Sequence, residues 1–340
     1  MQGNRTAFVL ATLLLTSTTA DLSCSSGLPI IDVAPFLRPD ATAAERREVA
    51  QAWDAAMSST GLAQIVGHGV DPTVIDRLVE SANRFFELSA EQKMQSCLNK
   101  GYGFGGYVPQ GVEAVGRSTG AEAPADIVEN LVFSFGGDRT KESVMPSEPA
   151  QLEPAVQAYW EQMERLLRSL MELSASALGL KATHFSDVFR TPKCNLRLAY
   201  YPAMAAEAEK RPEGLRYGAH TDYTGFTILR QDTNVSGLQA QTADGEWVLV
   251  PPRADAFVIN AGDLIQVWSN DRWRSPPHRV VNPPPGSTPR SRLSLVFFTG
   301  PDEETMIEAL PGTHGPDRPK RYEPVLAREH LRRKLQAGNV

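Results

Sequence analysis

The sequence is poor in cysteine and has no long apolar run. Its 340 residues include three cysteines, Cys24, Cys97 and Cys194, and no two of them have the short spacing of a zinc knuckle or a redox motif. Isolated thiols are typical of a reducing compartment, so neither a disulfide framework nor a cysteine-based zinc site is indicated. The apolar run near the N-terminus is too short to span a bilayer as a helix, and no membrane partner is expected.

The chain also lacks an excess of positive charge and a P-loop. Its formal net charge is −6 at pH 7, whereas a nucleic-acid-binding surface shows a basic stripe. One dense basic run, Arg328 to Lys334, is interpreted as a solvated helix face near the C-terminus. A P-loop pattern is absent from the sequence. GxGxxG and Gly-x-Ser-x-Gly each match once, at residues 101–106 and 116–120, but both matches lie in a glycine-rich segment predicted to be irregular and not between a predicted strand and a predicted helix. Nucleic-acid-binding, nucleotide-binding and serine-hydrolase functions are therefore not supported.

The first 27 residues have the layout of a targeting segment. Arg5 precedes the apolar run Ala7 to Leu15, and the small residues Thr18-Thr19-Ala20 provide an acceptable cleavage site. A charged start, a short apolar stretch and small residues are typical of a secretory signal. A disordered leader without a targeting role is the alternative, so residues 1–27 are treated as a leader outside the folded chain.

Helical patterns come first in the chain and strand patterns come later. Two short apolar runs, at residues 28–36 and 62–70, predict strands, and three segments with helical periodicity predict helices over residues 42–61, 73–88 and about 149–178. Residues 101–120 are rich in glycine and predicted to be irregular. After Cys194 short β-rich runs follow closely: LRLAYY, FTILRQ, GLQAQT, EWVLVP, AFVINAG, LIQVWSN, HRVVNP and RLSLVFFTG.

Many short strands separated by turn residues predict a sandwich or barrel. The predicted fold is therefore an all-β core with helices, of the α+β class, in which a double-stranded β-helix (jelly roll) is flanked by N-terminal helices. We expect an N-terminal helical region over residues 28–190 packing on the barrel, a jelly-roll core over 191–310, and a C-terminal tail and helix over 311–340.

The heptapeptide YGAHTDY contains a histidine and a carboxylate two residues apart. His220 and Asp222 point to one face if the segment is extended. A lone His-x-Asp is weak evidence, but His278 begins a predicted strand later in the chain and offers a third ligand. Two histidines and one carboxylate form the facial triad of non-haem Fe(II) oxygenases, and zinc is the alternative metal. The other histidines are interpreted as structural (His68) or solvated (His184, His314 and His330).

A second pair of polar residues follows the last histidine of the triad. Arg292 and Ser294 alternate with Leu293 on a predicted strand, so both point to one face. A buried arginine needs an anion, and a guanidinium beside a hydroxyl is a good receptor for a carboxylate. The alternative to a carboxylate receptor is that Arg292 and Ser294 lie on the surface in a basic loop. Their occurrence together with the His-x-Asp and His278 pattern favours the carboxylate receptor.

The motifs HTD, PPHRV and RLS, in that order, resemble those of the iron/2-oxoglutarate-dependent dioxygenases of the isopenicillin N synthase-like superfamily. The segments GLAQIVGHGV and FFELSAEQK also resemble that family, so the resemblance covers about residues 28–335. It implies Fe(II), 2-oxoglutarate and O2 as cofactors and cosubstrates. It implies three catalytic metal ligands, which are His220, Asp222 and His278. It also implies a site for the distal carboxylate of 2-oxoglutarate, formed by Arg292, Ser294 and Tyr201.

The chain departs from the family at one position of that site. Many relatives have Asn-Tyr-Tyr-Pro where this sequence has Ala199-Tyr200-Tyr201-Pro202. The missing asparagine removes one amide from the cosubstrate pocket. This difference concerns a detail of the pocket and leaves the implied class unchanged.

The resemblance implies oxidation of a small organic molecule by hydroxylation, desaturation or ring closure, with release of succinate and CO2. An iron oxidase that does not use 2-oxoglutarate and a non-catalytic jelly-roll binding module are the alternatives. A cytoplasmic location is expected, because 2-oxoglutarate is an intracellular metabolite, and secretory or organellar targeting by the leader is the alternative. The protein is expected to be a monomer. Candidates for the substrate pocket are aromatic: Tyr102, Phe104, Tyr107, Tyr223 and Phe298.

Overall fold

The structure is a computed structural model that describes residues 28–96, 106–119, 123–135, 145–203, 214–283 and 288–338. The predicted leader lies outside these residues, as do Cys97, Tyr102 and Phe104. In the described part the helices are α1 (Ala43–Ser59), α2 (Pro72–Phe86), α3 (Ala90–Met94), α4 (Leu152–Ala177), α5 (Asp263–Trp268) and α6 (Ala327–Gly338). Short 3-10 helices cover Ala34–Phe36 and Val115–Thr119.

The strands of the described residues form two main sheets and one separate pair. They are β1 (Ile30–Asp32), β2 (Leu62–Val66), β3 (Gly106–Val108), β4 (Glu129–Phe135), β5 (Cys194–Tyr201), β6 (Leu215–His220), β7 (Phe226–Arg230), β8 (Leu238–Gln241), β9 (Trp247–Leu249), β10 (Phe257–Ala261), β11 (His278–Val281), β12 (Arg292–Phe298), β13 (Met306–Ile307) and β14 (Val325–Leu326). An eight-stranded sheet has the order β1-β2-β10-β7-β12-β5-β4-β3, a four-stranded sheet has the order β6-β11-β8-β9, and β13 pairs with β14. A cavity lined from both sheets separates them, which confirms the predicted jelly roll with flanking helices.

Within the segment 28–190 the two strands predicted at residues 28–36 and 62–70 are present as β1 and β2, and two strands that were not predicted, β3 and β4, are added. Strands β1 and β2 form one edge of the large sheet, and β4 and β3 form the other. β4 pairs along its whole length with β5, from Glu129 opposite Tyr200 to Phe135 opposite Cys194. No helix or strand was predicted for residues 121–148, so β4 was missed. The boundaries predicted at residues 190 and 310 stay predictions.

Helices cover the outer face of the large sheet. On β12 the side chains of Val296 and Phe298 face the cavity, so Phe297 points outward, where its ring lies 4.9 Å from that of Trp160 on α4. On β7 the outward Phe226 ring lies 5.5 Å from Trp53 of α1. These aromatic pairs are fully or almost fully buried, so burial of apolar surface fixes the helices on the sheet.

The start and the end of α1 follow from local sequence. The Thr42 hydroxyl accepts a hydrogen bond from the Glu45 amide at 3.2 Å, and the Glu45 carboxylate accepts one from the Thr42 amide at 2.7 Å. This capping box satisfies amides that have no partner within the helix. Gly61 then turns the chain into β2 with φ +70, and a Cβ there would lie 2.2 Å from the Arg274 carbonyl oxygen. Only glycine fits this turn.

One of the predicted strands is a helix. The run LIQVWSN was expected to be β-rich, but residues Asp263–Trp268 form α5. A short apolar run does not distinguish a strand from a buried helix by periodicity alone. The chain turns at Gly262, where a Cβ would lie 2.6 Å from the carbonyl oxygens of Thr224 and Gly225. After that turn the apolar side chains of α5 are all buried.

None of the helices in the described ranges combines the length and the apolar character that crossing a bilayer requires. The predicted cytoplasmic location is not tested by this observation.

Candidate metal centre and adjoining cavities

Three side chains converge between the two sheets. His220 is the last residue of β6 and His278 the first of β11, and the two are direct partners in the antiparallel register. Asp222 lies just beyond β6, with its Oδ1 atom 3.8 Å from Nε2 of His220 and 3.7 Å from Nε2 of His278. Among the described residues, this is the cluster of His, Cys, Asp or Glu side chains whose ligand atoms lie close enough to share one metal ion.

Neighbouring groups turn one atom of each side chain toward a common centre. Nδ1 of His220 lies 2.9 Å from the Gly218 carbonyl oxygen, and Nδ1 of His278 lies 3.2 Å from that of Pro276. Each Nδ1–H therefore donates to a carbonyl, which leaves the Nε2 lone pair for a metal. Oδ2 of Asp222 accepts hydrogen bonds from the Thr227 hydroxyl and from Asn260, so Oδ1 remains available.

Burial and charge favour the protonation states that a metal requires. Burial first, and then the neighbouring His278, lower the pKa of His220, so its imidazole is neutral at pH 7. Burial opposes the charge of Asp222, but the two histidines and the hydrogen bonds from Thr227 and Asn260 outweigh it and lower the pKa of Asp222. Neutral histidines and an ionised carboxylate are the ligand forms that bind a divalent cation.

This donor set fits iron better than a structural zinc ion. A structural zinc site is closed by four protein ligands, whereas three ligands are present within the described residues. Two histidines and one carboxylate on one face leave open positions for a cosubstrate and O2.

An inner cavity extends from the triad toward Arg292 and Ser294. Both residues lie on β12 and point inward, with exposed fractions of 1% and 2%. Arg292 lies opposite Tyr201 in the sheet register, and its guanidinium carbon is 5.1 Å from the centre of the Tyr201 ring. Nε and Nη1 of Arg292 and the Ser294 hydroxyl have no hydrogen-bond partner among the described residues. Buried donors of this kind call for an anion, and a carboxylate fits them.

The position where relatives have asparagine has a different polar neighbour. Ala199 on β5 lies between Ser294 on β12 and Asn130 on β4. Asn130 is fully buried, lines the same inner cavity and donates from Nδ2 to Glu113 at 2.9 Å. The sequence analysis missed Asn130 because it missed β4. It also missed Thr227 and Asn260, since nothing in the sequence marks their contact with Asp222.

An outer cavity of about 200 Å³ opens on the other side of the triad. Tyr223 and Phe298, both candidates from the sequence, line it together with Leu264. Its polar wall includes Arg197, which donates to Glu113 at 3.0 Å and to the Tyr217 hydroxyl at 3.1 Å. These polar residues were not predicted.

Tyr107 is a different case from the other aromatic candidates. Its side chain is 5% exposed, and its hydroxyl donates to Glu129 at 2.7 Å. It is absent from the lining of both cavities and packs in the core against Phe85. Tyr107 is therefore a core residue, and Tyr102 and Phe104 lie outside the described residues.

The basic run near the C-terminus is not simply a solvated helix face. It lies on α6, whose residues Arg328, Leu331 and Leu335 line the outer cavity. Lys334 lies 2.6 Å from the Asp263 carboxylate, and the His330 side chain, which is 17% exposed, lies 3.9 Å from it. Arg328, Arg332 and Arg333 are exposed, as the interpretation of a solvated face requires, but Lys334 and His330 are half-buried. The interpretation of His330 as a solvated histidine is therefore wrong.

The fold and this site together define a non-haem iron oxygenase. Comparison with known families gives the same result, because residues 192–301 match the 2OG-Fe(II) oxygenase superfamily and residues 28–151 match the family described as non-haem dioxygenase in morphine synthesis N-terminal. The chain belongs to the 2-oxoglutarate- and Fe(II)-dependent oxygenase superfamily.

Relatives and solved structures agree over nearly the whole chain. Homoarginine-6-hydroxylase of Glycine max is 30% identical over 93% of this chain and 98% of its own length. A 2-oxoglutarate-dependent dioxygenase of Monascus ruber is 33% identical over 80% of this chain and 84% of its own length. A solved structure of a Neurospora crassa protein in complex with alpha-KG and thymine matches with a TM-score of 0.82 and 28% identity, covering 92% of this chain and 97% of that one.

The protein is therefore a 2-oxoglutarate-dependent dioxygenase with Fe(II), 2-oxoglutarate and O2 as its cofactor and cosubstrates. The predicted family, fold and enzyme class are confirmed. The alternatives of a non-catalytic binding module and of an oxidase without 2-oxoglutarate are not supported by these relatives.

Proposed function

We propose that His220, Asp222 and His278 hold the Fe(II) ion. The observation that supports this assignment is the convergence of one ligand atom from each side chain within 4.8 Å of the others. Their remaining polar atoms are engaged by protein groups, which fixes the direction of each ligand. The hydrogen bonds of Thr227 and Asn260 to Asp222 keep its Oδ1 atom turned toward the two histidines.

We also propose that Arg292, Ser294 and Tyr201 bind the distal carboxylate of 2-oxoglutarate. The unpartnered Arg292 nitrogens and Ser294 hydroxyl support this role, because an arginine can bind a carboxylate through two parallel hydrogen bonds. The buried surroundings strengthen that contact by excluding water. Binding at this end orients the keto acid so that its other end points toward the triad.

The bound iron supplies the oxidation of a substrate C–H bond by O2, coupled to conversion of 2-oxoglutarate to succinate and CO2. The chain's own residues hold the reactants and exclude water from the reaction. The histidines bind as neutral imidazoles, and Asp222 contributes the one negative charge at the centre. Tyr223, Phe298 and Leu264 shield the side of the site that faces the outer cavity.

We propose that the substrate is a small organic molecule bound in the outer cavity. The apolar wall favours contact with a flat or aliphatic body, and the Arg197–Glu113 pair offers a donor and an acceptor beside it. The Neurospora crassa structures contain thymine and 5-formyluracil, and another relative is named a homoarginine hydroxylase. These molecules are the first candidates to test.

The first experiment is anaerobic addition of Fe(II) and then 2-oxoglutarate to the purified protein, followed by visible absorption. Chelation of Fe(II) by the keto acid should produce a weak charge-transfer band. Iron binding without that band in the wild type would contradict the proposed cosubstrate site. Absence of iron binding would contradict the ligand assignment.

The substrate is then sought by measuring succinate release with thymine, 5-formyluracil and homoarginine. A substrate should raise succinate formation above the rate without it and give an oxidised product in equal amount. Succinate formation that stays at the background rate with all three would exclude these compounds and leave the iron and cosubstrate sites unaffected.

A cytoplasmic location and a monomeric state stay predictions. Size-exclusion chromatography with light scattering measures the oligomeric state.

A further inference from the structure

A second buried arginine lies near the proposed cosubstrate site. Arg216 is on β6, four residues before His220. Along this strand Arg216, Gly218 and His220 are buried, and the residues between them are half-buried. Bulges in the pairing of β6 with β11 interrupt the alternation, so Tyr217 and His220 line the inner cavity and Arg216 does not. Arg216 is 1% exposed, although the sequence analysis did not single it out.

The Arg216 guanidinium is only partly satisfied. Its Nη2 atom donates to the Pro202 carbonyl oxygen at 3.0 Å, which places it next to Tyr201. Its Nε and Nη1 atoms have no hydrogen-bond partner in the described ranges. The same is true of Nε and Nη1 of Arg292, so two buried guanidinium groups near Tyr201 have free donors.

Among the described residues, the groups that act most strongly on the Arg216 charge do not include a carboxylate. Burial first, and then the positive charge of Arg292, lower the pKa of Arg216, and Tyr201 acts in the opposite direction. Two half-buried arginines have more partners: Arg197 pairs with Glu113 at 3.0 Å, and Arg230 donates to three backbone carbonyls. Burying a charge without a partner is unfavourable, so Arg216 and Arg292 together are expected to attract an anion.

We propose that Arg216 is a second cation of the 2-oxoglutarate site, which with Arg292 selects keto acids that carry a distal carboxylate. Arg216 does not line the inner cavity itself. It acts as a positioning residue, because it adds positive potential at the end of the cavity and holds the backbone that follows Tyr201. This inference rests on the proposed function, since it requires 2-oxoglutarate to bind with its distal carboxylate at Arg292.

The test compares two keto acids that differ only at the distal end. Binding of 2-oxoglutarate and of 2-oxovalerate, which has a methyl group in place of the distal carboxylate, is measured by anaerobic titration of the Fe(II)-loaded protein. In Arg216→Met the affinity for 2-oxoglutarate should fall about tenfold, because the distal carboxylate loses its attraction to one positive charge that does not contact it directly. The affinity for 2-oxovalerate should stay within twofold of wild type. Arg216→Lys should restore most of the preference.

Arg230→Met is the matched control, because it removes a half-buried arginine of β7 that is held by backbone carbonyls. It should lower the melting temperature and leave the ratio of the two affinities unchanged. Arg216→Gln serves as a second neutral variant and replaces Arg216→Met if that protein does not fold.

Equal weakening of both keto acids in the neutral Arg216 variants would assign Arg216 a structural role and overturn the inference. An unchanged affinity for 2-oxoglutarate would overturn it as well. Arg292→Met separates this failure from failure of the proposed function. If Arg292→Met lowers 2-oxoglutarate affinity and the Arg216 variants do not, only the role of Arg216 is wrong. If neither does, the cosubstrate site itself is wrong.

Discussion

At the scale of single residues, the candidate iron site depends on contacts that the ligands make away from the metal. Each histidine has its Nδ1 atom next to a carbonyl two residues earlier in the chain, Gly218 for His220 and Pro276 for His278. This contact fixes the ring orientation and tautomer. Asp222 is held by groups from two different strands of the large sheet, so its direction depends on the sheet register.

We expect Asp222→Ala to abolish stoichiometric iron binding, because it removes the only negative charge among the three ligands. Iron content after anaerobic reconstitution measures this directly. His184→Ala, at an exposed histidine, is the control and should bind iron like the wild type. Full iron occupancy in a folded Asp222→Ala protein would show that the ligand assignment is wrong.

Asn260→Ala should weaken iron binding roughly 10- to 100-fold, the usual effect of removing a group that orients a metal ligand. The variant loses the 2.6 Å hydrogen bond to Oδ2 of Asp222, and Asp222 then samples other rotamers. Competition with a chelator gives the affinity. Asn234→Ala, in an exposed loop, should have no effect, and equal iron affinities in the two variants would argue against an orienting role for Asn260.

At the scale of elements, α6 forms part of the outer cavity without belonging to either sheet. It contacts the 3-10 helix at Val115–Thr119 and supplies Leu331 and Leu335 to the cavity wall. The Lys334–Asp263 ion pair links α6 to the rest of the protein, and its partners are 35% and 14% exposed. Since Asp263 begins α5, this pair connects the C-terminal helix to the turn that follows β10.

Lys334→Met should loosen α6 and leave the fold intact, because a partly exposed ion pair contributes about 1 kcal/mol or less. Amide hydrogen exchange within α6 should become several-fold faster than in the wild type. Arg332→Met is the matched control, since Arg332 pairs with Glu329 inside the same helix. Similar exchange rates in both variants would show that the Asp263 contact does not hold the helix.

The largest buried side chain of α1 is Trp53, which packs against the sheet. Trp53 is fully buried and its ring packs at 5.5 Å from that of Phe226. Trp53→Ala should lower the free energy of unfolding by about 3–5 kcal/mol, the usual range for removing a buried aromatic side chain. Urea unfolding measures it, and a loss below about 1 kcal/mol would mean that the cavity collapses or that the packing is not as described.

At the scale of the whole molecule, the N-terminal segment and the barrel share one sheet. β2 pairs with β10, and β4 pairs with β5, so both edges of the large sheet are completed by strands from the first part of the chain. We expect a single cooperative unfolding transition, because neither part can lose its structure without exposing the other. Two separate transitions in calorimetry would contradict this expectation.

Ligands that bind only the folded protein should stabilise it by mass action. At a concentration 100 times its dissociation constant, 2-oxoglutarate added to the Fe(II) form should raise the free energy of unfolding by about 2.7 kcal/mol. Differential scanning fluorimetry under anaerobic conditions detects the shift in melting temperature. A chelator should remove it in the wild type, and Arg292→Met should lack most of it.

Much of the site was predictable from sequence because its chemistry needs particular residue types. His220, Asp222 and His278 are spaced so that two strands bring them together, and Arg292 and Ser294 alternate as inward residues of one strand must. The surrounding residues were not predictable in this way. Thr227, Asn260 and Arg216 are ordinary polar residues of strands, and only the register shows which atoms they meet.

Local sequence decided where α1 begins and ends, because the capping pair Thr42–Glu45 and Gly61 act within a few residues. It also determined the alternation that makes the later strands amphipathic, and therefore the jelly-roll class. Tertiary structure alone decided that LIQVWSN is a helix, that β4 completes the large sheet and that α6 lines the outer cavity. The physical reason is that apolar burial and backbone pairing between distant segments set these features, and neither is encoded in the periodicity of a short segment.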